Sequence, residues 1–180
     1  MLDLIIKNGT IITADETYKG EIGVENGVIT YIGSAGKLDH LINTDPENGP
    51  VTKVIDAEGK YVMPGLIEPH MHVKAPFSGT IDMLDFYTAS KCAAFGGVTT
   101  FMDFSTTTES MSVLEAVEDR LREMEEESAL DYCVHPKFIN AGKDKEELRK
   151  TIKTLVEKGV PAFKMFTIYP GVMIKDADIL

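Results

Sequence analysis

The chain has 180 residues, of which 43% are apolar and 26% charged, and its 18 Lys and Arg against 29 Asp and Glu leave a net charge of -11. That balance is globular and argues against nucleic acid or an anionic membrane surface as the main partner, since either would repel the chain at long range. No run approaches the ~18–20 apolar residues of a membrane span, and Met1-Leu2-Asp3-Leu4 lacks the basic start and long apolar stretch of a secretion signal. Only two cysteines occur, Cys92 and Cys133, which reads as buried, reduced thiols in a cytoplasmic protein.

The first sixty residues read as strands and turns. Leu4-Ile5-Ile6 and Thr10-Ile11-Ile12-Thr13 flank Asn8-Gly9, and Glu21-Ile22-Gly23-Val24 and Val28–Ile32 flank Asn26-Gly27. Asn-Gly between β-branched runs signals a hairpin, so two hairpins and a small antiparallel sheet are expected. Residues 34–53, rich in Gly, Asn, Asp and Pro, read as a surface loop, and Val54-Ile55-Asp56 as a further short strand.

From residue 61 the rhythm becomes strand, helix, strand, helix. Strands are expected over 61–67, 98–104, from 131, and over 161–166; helices over 81–95, 110–127 and 144–158, the first and last stopped by Gly96-Gly97 and Gly159. Leu114, Val117, Leu121 and Met124 form one apolar face, and Leu148, Ile152, Leu155 and Val156 another. Alternating units of this kind build parallel sheets. Between Glu109 and Glu127 stand eight acids and two arginines, which read as a solvated outer face. The fold class is therefore α/β, with a small β-sheet domain over 1–60 and β/α units over 61–180.

The chemistry concentrates at two places. Glu68-Pro69-His70-Met71-His72 follows an apolar strand, and two histidines at i and i+2 on an extended segment point to one side, where they can share a divalent metal. Parallel sheets place their sites at the carboxyl ends of strands. Lys164 stands among apolar residues in Ala162-Phe163-Lys164-Met165-Phe166. It either faces solvent from an edge strand or turns inward, where a neutral amine can take up carbon dioxide as a carbamate ligand. Tyr169 follows five residues later and can donate to a developing oxyanion.

Taken together, these segments resemble the dihydropyrimidinase and hydantoinase family of the amidohydrolases. The resemblance rests on Asp3–Thr10, on Ile55–Gly65 ahead of the histidines, on His70-Met71-His72 and Ala75–Thr80, on Gly96–Thr100, on Asp131-Tyr132, and on Phe163–Phe166 with Tyr169. It implies a β-sandwich part followed by about four βα units of a TIM-like hydrolase barrel. It implies two zinc ions, with His70 and His72 as ligands of one and a carboxylated Lys164 bridging both. Tyr169 would bind substrate and steady the tetrahedral intermediate. The implied reaction is metal-assisted hydrolysis of a dihydropyrimidine or hydantoin ring to an N-carbamoyl amino acid, in a cytoplasmic homotetramer. His135 matches a third-strand histidine that is not a ligand, and His40 lies in the loop; neither is expected to be catalytic.

Two residues depart from the family pattern. Glu68 stands where Asp is commoner, and Lys74, just past the histidines, either alters the substrate mouth or points outward. A closed barrel needs ~250 residues. The remaining ligands and the proton-carrying aspartate belong to later strands, so the chain is expected to be a fragment, inactive and prone to aggregate alone. Allantoinase- or dihydroorotase-type hydrolysis and a metal-free scaffold related to dihydropyrimidinase are the alternative functions, and a naturally short gene product is a third.

Overall fold

Strand β1 (Leu4–Ile12) runs straight through Asn8-Gly9. Asn8 adopts a φ of 61°, one extra residue is accommodated on β1 between Ile6 and Gly9, and the Asn8 side-chain amide donates to Asp56 at 2.9 Å. The expected turn is thus a β-bulge. A Cβ on Gly9 would meet Val62 Cγ2 at 2.5 Å, so glycine serves a close approach here and not a reversal. The chain reverses instead at residues 13–16, where the Thr13 hydroxyl accepts from Glu16 N at 3.0 Å. The computed structural model describes residues 1–77, 79–105, 110–139 and 144–179.

Strands β2 (Thr17–Glu25) and β3 (Val28–Gly33) are joined at Asn26-Gly27, whose φ values of 52° and 74° suit the tight hairpin turn expected there. Strands β4 (Lys53–Asp56) and β5 (Tyr61–Val62) both pair with β1 in parallel, giving the order β3-β2-β1-β4 with β5 beside the far end of β1. The sheet is therefore mixed, where the hairpin signals alone implied an antiparallel one. Its apolar cluster holds Leu2, Ile5 and Leu38. The loop before β4 is fastened by the buried Glu21 carboxylate, which accepts from Lys37 N at 2.5 Å and Leu38 N at 2.7 Å.

The chain divides into two units, Met1–Pro64 and Gly65–Leu180. The apolar run over 61–67 is cut accordingly. Its first residues form β5, and after Pro64-Gly65 it resumes as β6 (Leu66–Glu68) in a different sheet.

The second unit continues with a short hairpin, β7 (Pro76–Phe77) and β8 (Thr80–Ile81). Then follow α1 (Phe86–Phe95), β9 (Val98–Phe104), α2 (Val113–Glu127), β10 (Asp131–His135), β11 (Lys137–Phe138), α3 (Lys145–Glu157), β12 (Lys164–Met165) and the single turn α4 (Asp176–Ile179). Strands β6, β9 and β10 pair in parallel, and β11, resuming after Pro136, pairs in parallel with β12. The helices begin at their capping residues: Asp85 accepts from Thr88 N, Ser112 and Glu115 form a reciprocal box, and Asp144 accepts from two amides. For α1 this places the start five residues after the expected one. Strand β12 is shorter than the expected 161–166, and Phe166 bridges Met173 in parallel instead of extending it.

The core of this unit joins Phe86, Phe101, Val117, Met124, Val134, Phe138 and Leu155, with Leu114, Leu121, Leu148 and Ile152 packed on it. Val156 lies outside it, 48% exposed. Cys92 is exposed, not buried, because α1 turns Phe86, Ala89 and Ser90 inward and leaves the opposite face to solvent; Cys133 is half-buried. The acidic helix α2 is not wholly a solvated face either. Arg120 is only 4% exposed and forms an ion pair with Asp103, which is fully buried on β9. Among the described residues no helix is long and apolar enough to cross a membrane.

Candidate functional site

Strand β6 ends at Glu68, and its carboxylate turns back to accept from His70 N at 2.9 Å, fixing the start of the segment that carries both histidines. Met71 N donates to Met102 O of β9 at 2.9 Å, so that segment runs alongside the strand end. The two imidazoles stand with ring centres 5.1 Å apart at an angle of 75°. Each rests on the ring of Phe104, the last residue of β9, with centres 4.6 Å away.

Pleating explains why Phe104 is there. Along β9, Phe101 and Asp103 project toward the helices, where Phe101 stacks near Phe86 and Asp103 meets Arg120. Phe104 therefore projects to the opposite face. His135, its register partner on β10, places its ring centre 5.4 Å from that of Phe104. Lys164 opens β12, half-buried, with its ammonium 5.6 Å from the centre of Phe104 and 5.0 Å from that of Phe166.

Tyr169 is 46% exposed and lies on the turn after β12, its ring centre 5.7 Å from that of Phe166. Of the expected site residues, His70, His72 and Lys164 thus share one ring, and Tyr169 joins them through a second. His40 lies in the other unit, in the short turn Asp39–Leu41.

Electrostatics favour a neutral imidazole. Burial of one face draws the pKa of His72 below its ordinary value, helped by the positive charges of His70, Lys137, Lys164 and Arg120. Lys137, aligned with Lys164 across β11 and β12, is also held below the usual lysine range, chiefly by burial, against the attraction of Asp103. Burial pushes the Asp103 carboxyl up, and the adjoining Arg120 guanidinium partly counters it.

Phe104, Lys137 and the Asp103–Arg120 pair were not legible as site residues. Phe104 and Asp103 sit in an ordinary apolar strand pattern, and only knowing which strand face meets the histidines would have singled them out. Lys74 does not face the histidines. Its ammonium donates to Glu127 at 2.7 and 2.9 Å and to Glu123 at 3.1 Å, tying the segment to the end of α2.

Residues 53–132 match the model of the Amidohydrolase family. Over 98% of its length the chain is 38% identical to the D-hydantoinase of Geobacillus stearothermophilus, covering 35% of that protein. It is 33% identical to the dihydropyrimidinase of Dictyostelium discoideum over 98% of its length, covering 33% of that protein. A solved D-hydantoinase structure superimposes on 99% of the chain with a TM-score of 0.82 at 35% identity, the match covering 36% of that structure. Over nearly its whole length the chain is thus similar to hydantoinases and dihydropyrimidinases. A second solved structure, dihydropyrimidinase from Brevibacillus agri, matches with a TM-score of 0.82 at 30% identity over 97% of the chain and 35% of that structure. The chain thus spans about a third of the length of the family members it matches.

Proposed function

We propose that this chain carries the first half of a two-metal centre that hydrolyses the cyclic amide bond of dihydropyrimidines or hydantoins to N-carbamoyl amino acids. The observation that carries the reading is the convergence of His70, His72 and Lys164 on the single ring of Phe104. Two imidazoles sharing one tetrahedral ion at ~2.1 Å would have ring centres ~5 Å apart. Theirs are 5.1 Å apart, and His72 is biased toward the neutral form that offers a lone pair.

Each residue has a part. His70 and His72 would hold one zinc ion through ring nitrogens. The Lys164 amine, on adding to carbon dioxide with an N–C bond formed and a proton released, would supply a carbamate as an anionic oxygen ligand. Metal bound there would supply Lewis-acid polarisation of the ring carbonyl and a more acidic water. The Tyr169 hydroxyl donates to the oxygen that gains negative charge as the carbonyl becomes tetrahedral. In this reading Gly65–Leu180 forms the opening βα units of a TIM-like barrel, and Met1–Pro64 part of a β-sandwich. The family also suggests a cytoplasmic homotetramer.

Among the described residues no group of three His, Cys, Asp or Glu stands together as a metal site. The expectation that this chain binds zinc therefore rests on His70, His72 and Lys164 alone, and it is expected to leave rings intact. Zinc content after dialysis, with hydantoin and dihydrouracil ring opening assayed alongside, tests this. Zinc retained by the chain and lost from a His70→Ala, His72→Ala double variant is the expected result. Zinc retained equally by both would refute the assignment of the two histidines, and zinc absent from both would favour the metal-free scaffold.

A further inference from the structure

We propose that Phe104 is a positioning residue: its ring is the platform that sets His70, His72 and Lys164 in one array before any ion arrives. The inference rests on the metal-centre reading above and deepens it. Phe104 is 4% exposed, yet it lies outside the apolar core of its unit, which takes in Phe101 from the same strand. The ring contacts described for Phe104 are to polar or cationic groups: His70 and His72 at 4.6 Å, His135 at 5.4 Å, and the Lys164 ammonium at 5.6 Å.

A flat aromatic face suits that company. His72 lies nearly parallel to it at 24° and His70 tilts at 55°, so the two rings are held at different angles on one surface. The same π-system attracts the Lys164 ammonium, with Phe166 on another side at 5.0 Å. A branched aliphatic chain would fill most of the volume but offer neither the plane nor the quadrupole. Residues that orient metal ligands without touching the metal typically change affinity ~10–100-fold when altered.

The test compares Phe104→Leu with Phe101→Leu in the full chain. Phe101 is fully buried on the same strand and packs near Phe86 and Tyr132, so its truncation removes a buried ring of the same size with none of the imidazole contacts described for Phe104. Zinc titration calorimetry gives affinity, and the ring-proton shifts of His70 and His72, taken metal-free above the imidazole titration range, report the Phe104 ring current. We expect Phe104→Leu to bind zinc ~10-fold or more weakly and to lose the upfield displacement of both histidines. Phe101→Leu should keep both the affinity and the shifts. Equal weakening by both variants, or unchanged shifts in Phe104→Leu, would overturn the positioning role. If Phe104→Leu fails to fold, cross-relaxation between Phe104 and the two imidazoles in the unaltered chain decides, and its absence sinks the proposal. Absence of zinc binding by the unaltered chain would instead sink the metal-centre reading, leaving the shifts to judge Phe104.

Discussion

Replacing Arg120 with Met is expected to destabilise Gly65–Leu180 more than any other single change at a charged residue there. Arg120 meets Asp103, donates to Val73 O, donates to Glu123 at 2.8 Å, and lays its guanidinium carbon 4.5 Å from the centre of the Phe86 ring. Methionine keeps much of the stem's packing and removes the charge, stranding a fully buried carboxylate. Breaking such a pair from one side typically costs ~3–5 kcal/mol. With an m-value of ~2 kcal/mol/M in urea, the midpoint should fall by ~1.5–2.5 M.

Two further measurements make the reasoning specific. Without Arg120, burial is opposed by the backbone hydrogen bonds from Phe104 and Val73 without the guanidinium's help, and the folded pKa of Asp103 rises further above the ordinary 3.8. Between those values the native state binds more protons than the unfolded one, so stability falls as pH rises, and the deficit should be smaller at about pH 5 than at about pH 8. The double variant Arg120→Met, Asp103→Leu should regain most of the loss, since an apolar pair replaces a buried ionic one. A single-variant loss under ~1 kcal/mol, unchanged by pH, would refute the account.

Other expectations follow from single contacts. Lys74→Ala should lower the melting temperature near neutral pH. Glu127 is held below its ordinary 4.5 mainly by Lys74, so the difference from the unaltered chain should vanish as pH falls below that value; a difference that persists in acid would contradict the tether. Ser112→Ala should cost ~1 kcal/mol in urea titration by removing the α2 capping box. Gly9→Ala should cost ~1–3 kcal/mol, read as a lower thermal midpoint, because its Cβ would press on Val62 at 2.5 Å, and no loss would mean the bulge is not held by that approach.

Local chemistry explains how far the sequence could be read. Val117 and Met124 faced the core as their spacing required, and Asn26-Gly27 made its turn. Asn8-Gly9 carried the same dipeptide and became a bulge, because the choice depended on Val62 and Asp56, some fifty residues away. Lys74 stood open between the substrate mouth and an outward pose, and Arg120 looked like a surface charge; only the packing of α2 revealed their partners. The histidine pair and Lys164 were legible because charged or imidazole groups at strand ends are conspicuous. Phe104 was hidden by its apolar strand, where which face it shows is decided by parity relative to helices not yet placed.

The Glu127 carboxylate, besides meeting Lys74, accepts from Phe86 N at 3.1 Å. An amide in the first turn of a helix has no acceptor within that helix and ordinarily exchanges with solvent at once. That of Phe86 is closed by a side chain from the last turn of another helix. Its deuterium uptake should therefore track the opening of α2, and fraying at the end of α2 should release the start of α1. The two helices would then appear in exchange experiments as one cooperative unit, although Phe86 and Glu127 stand 41 positions apart in sequence.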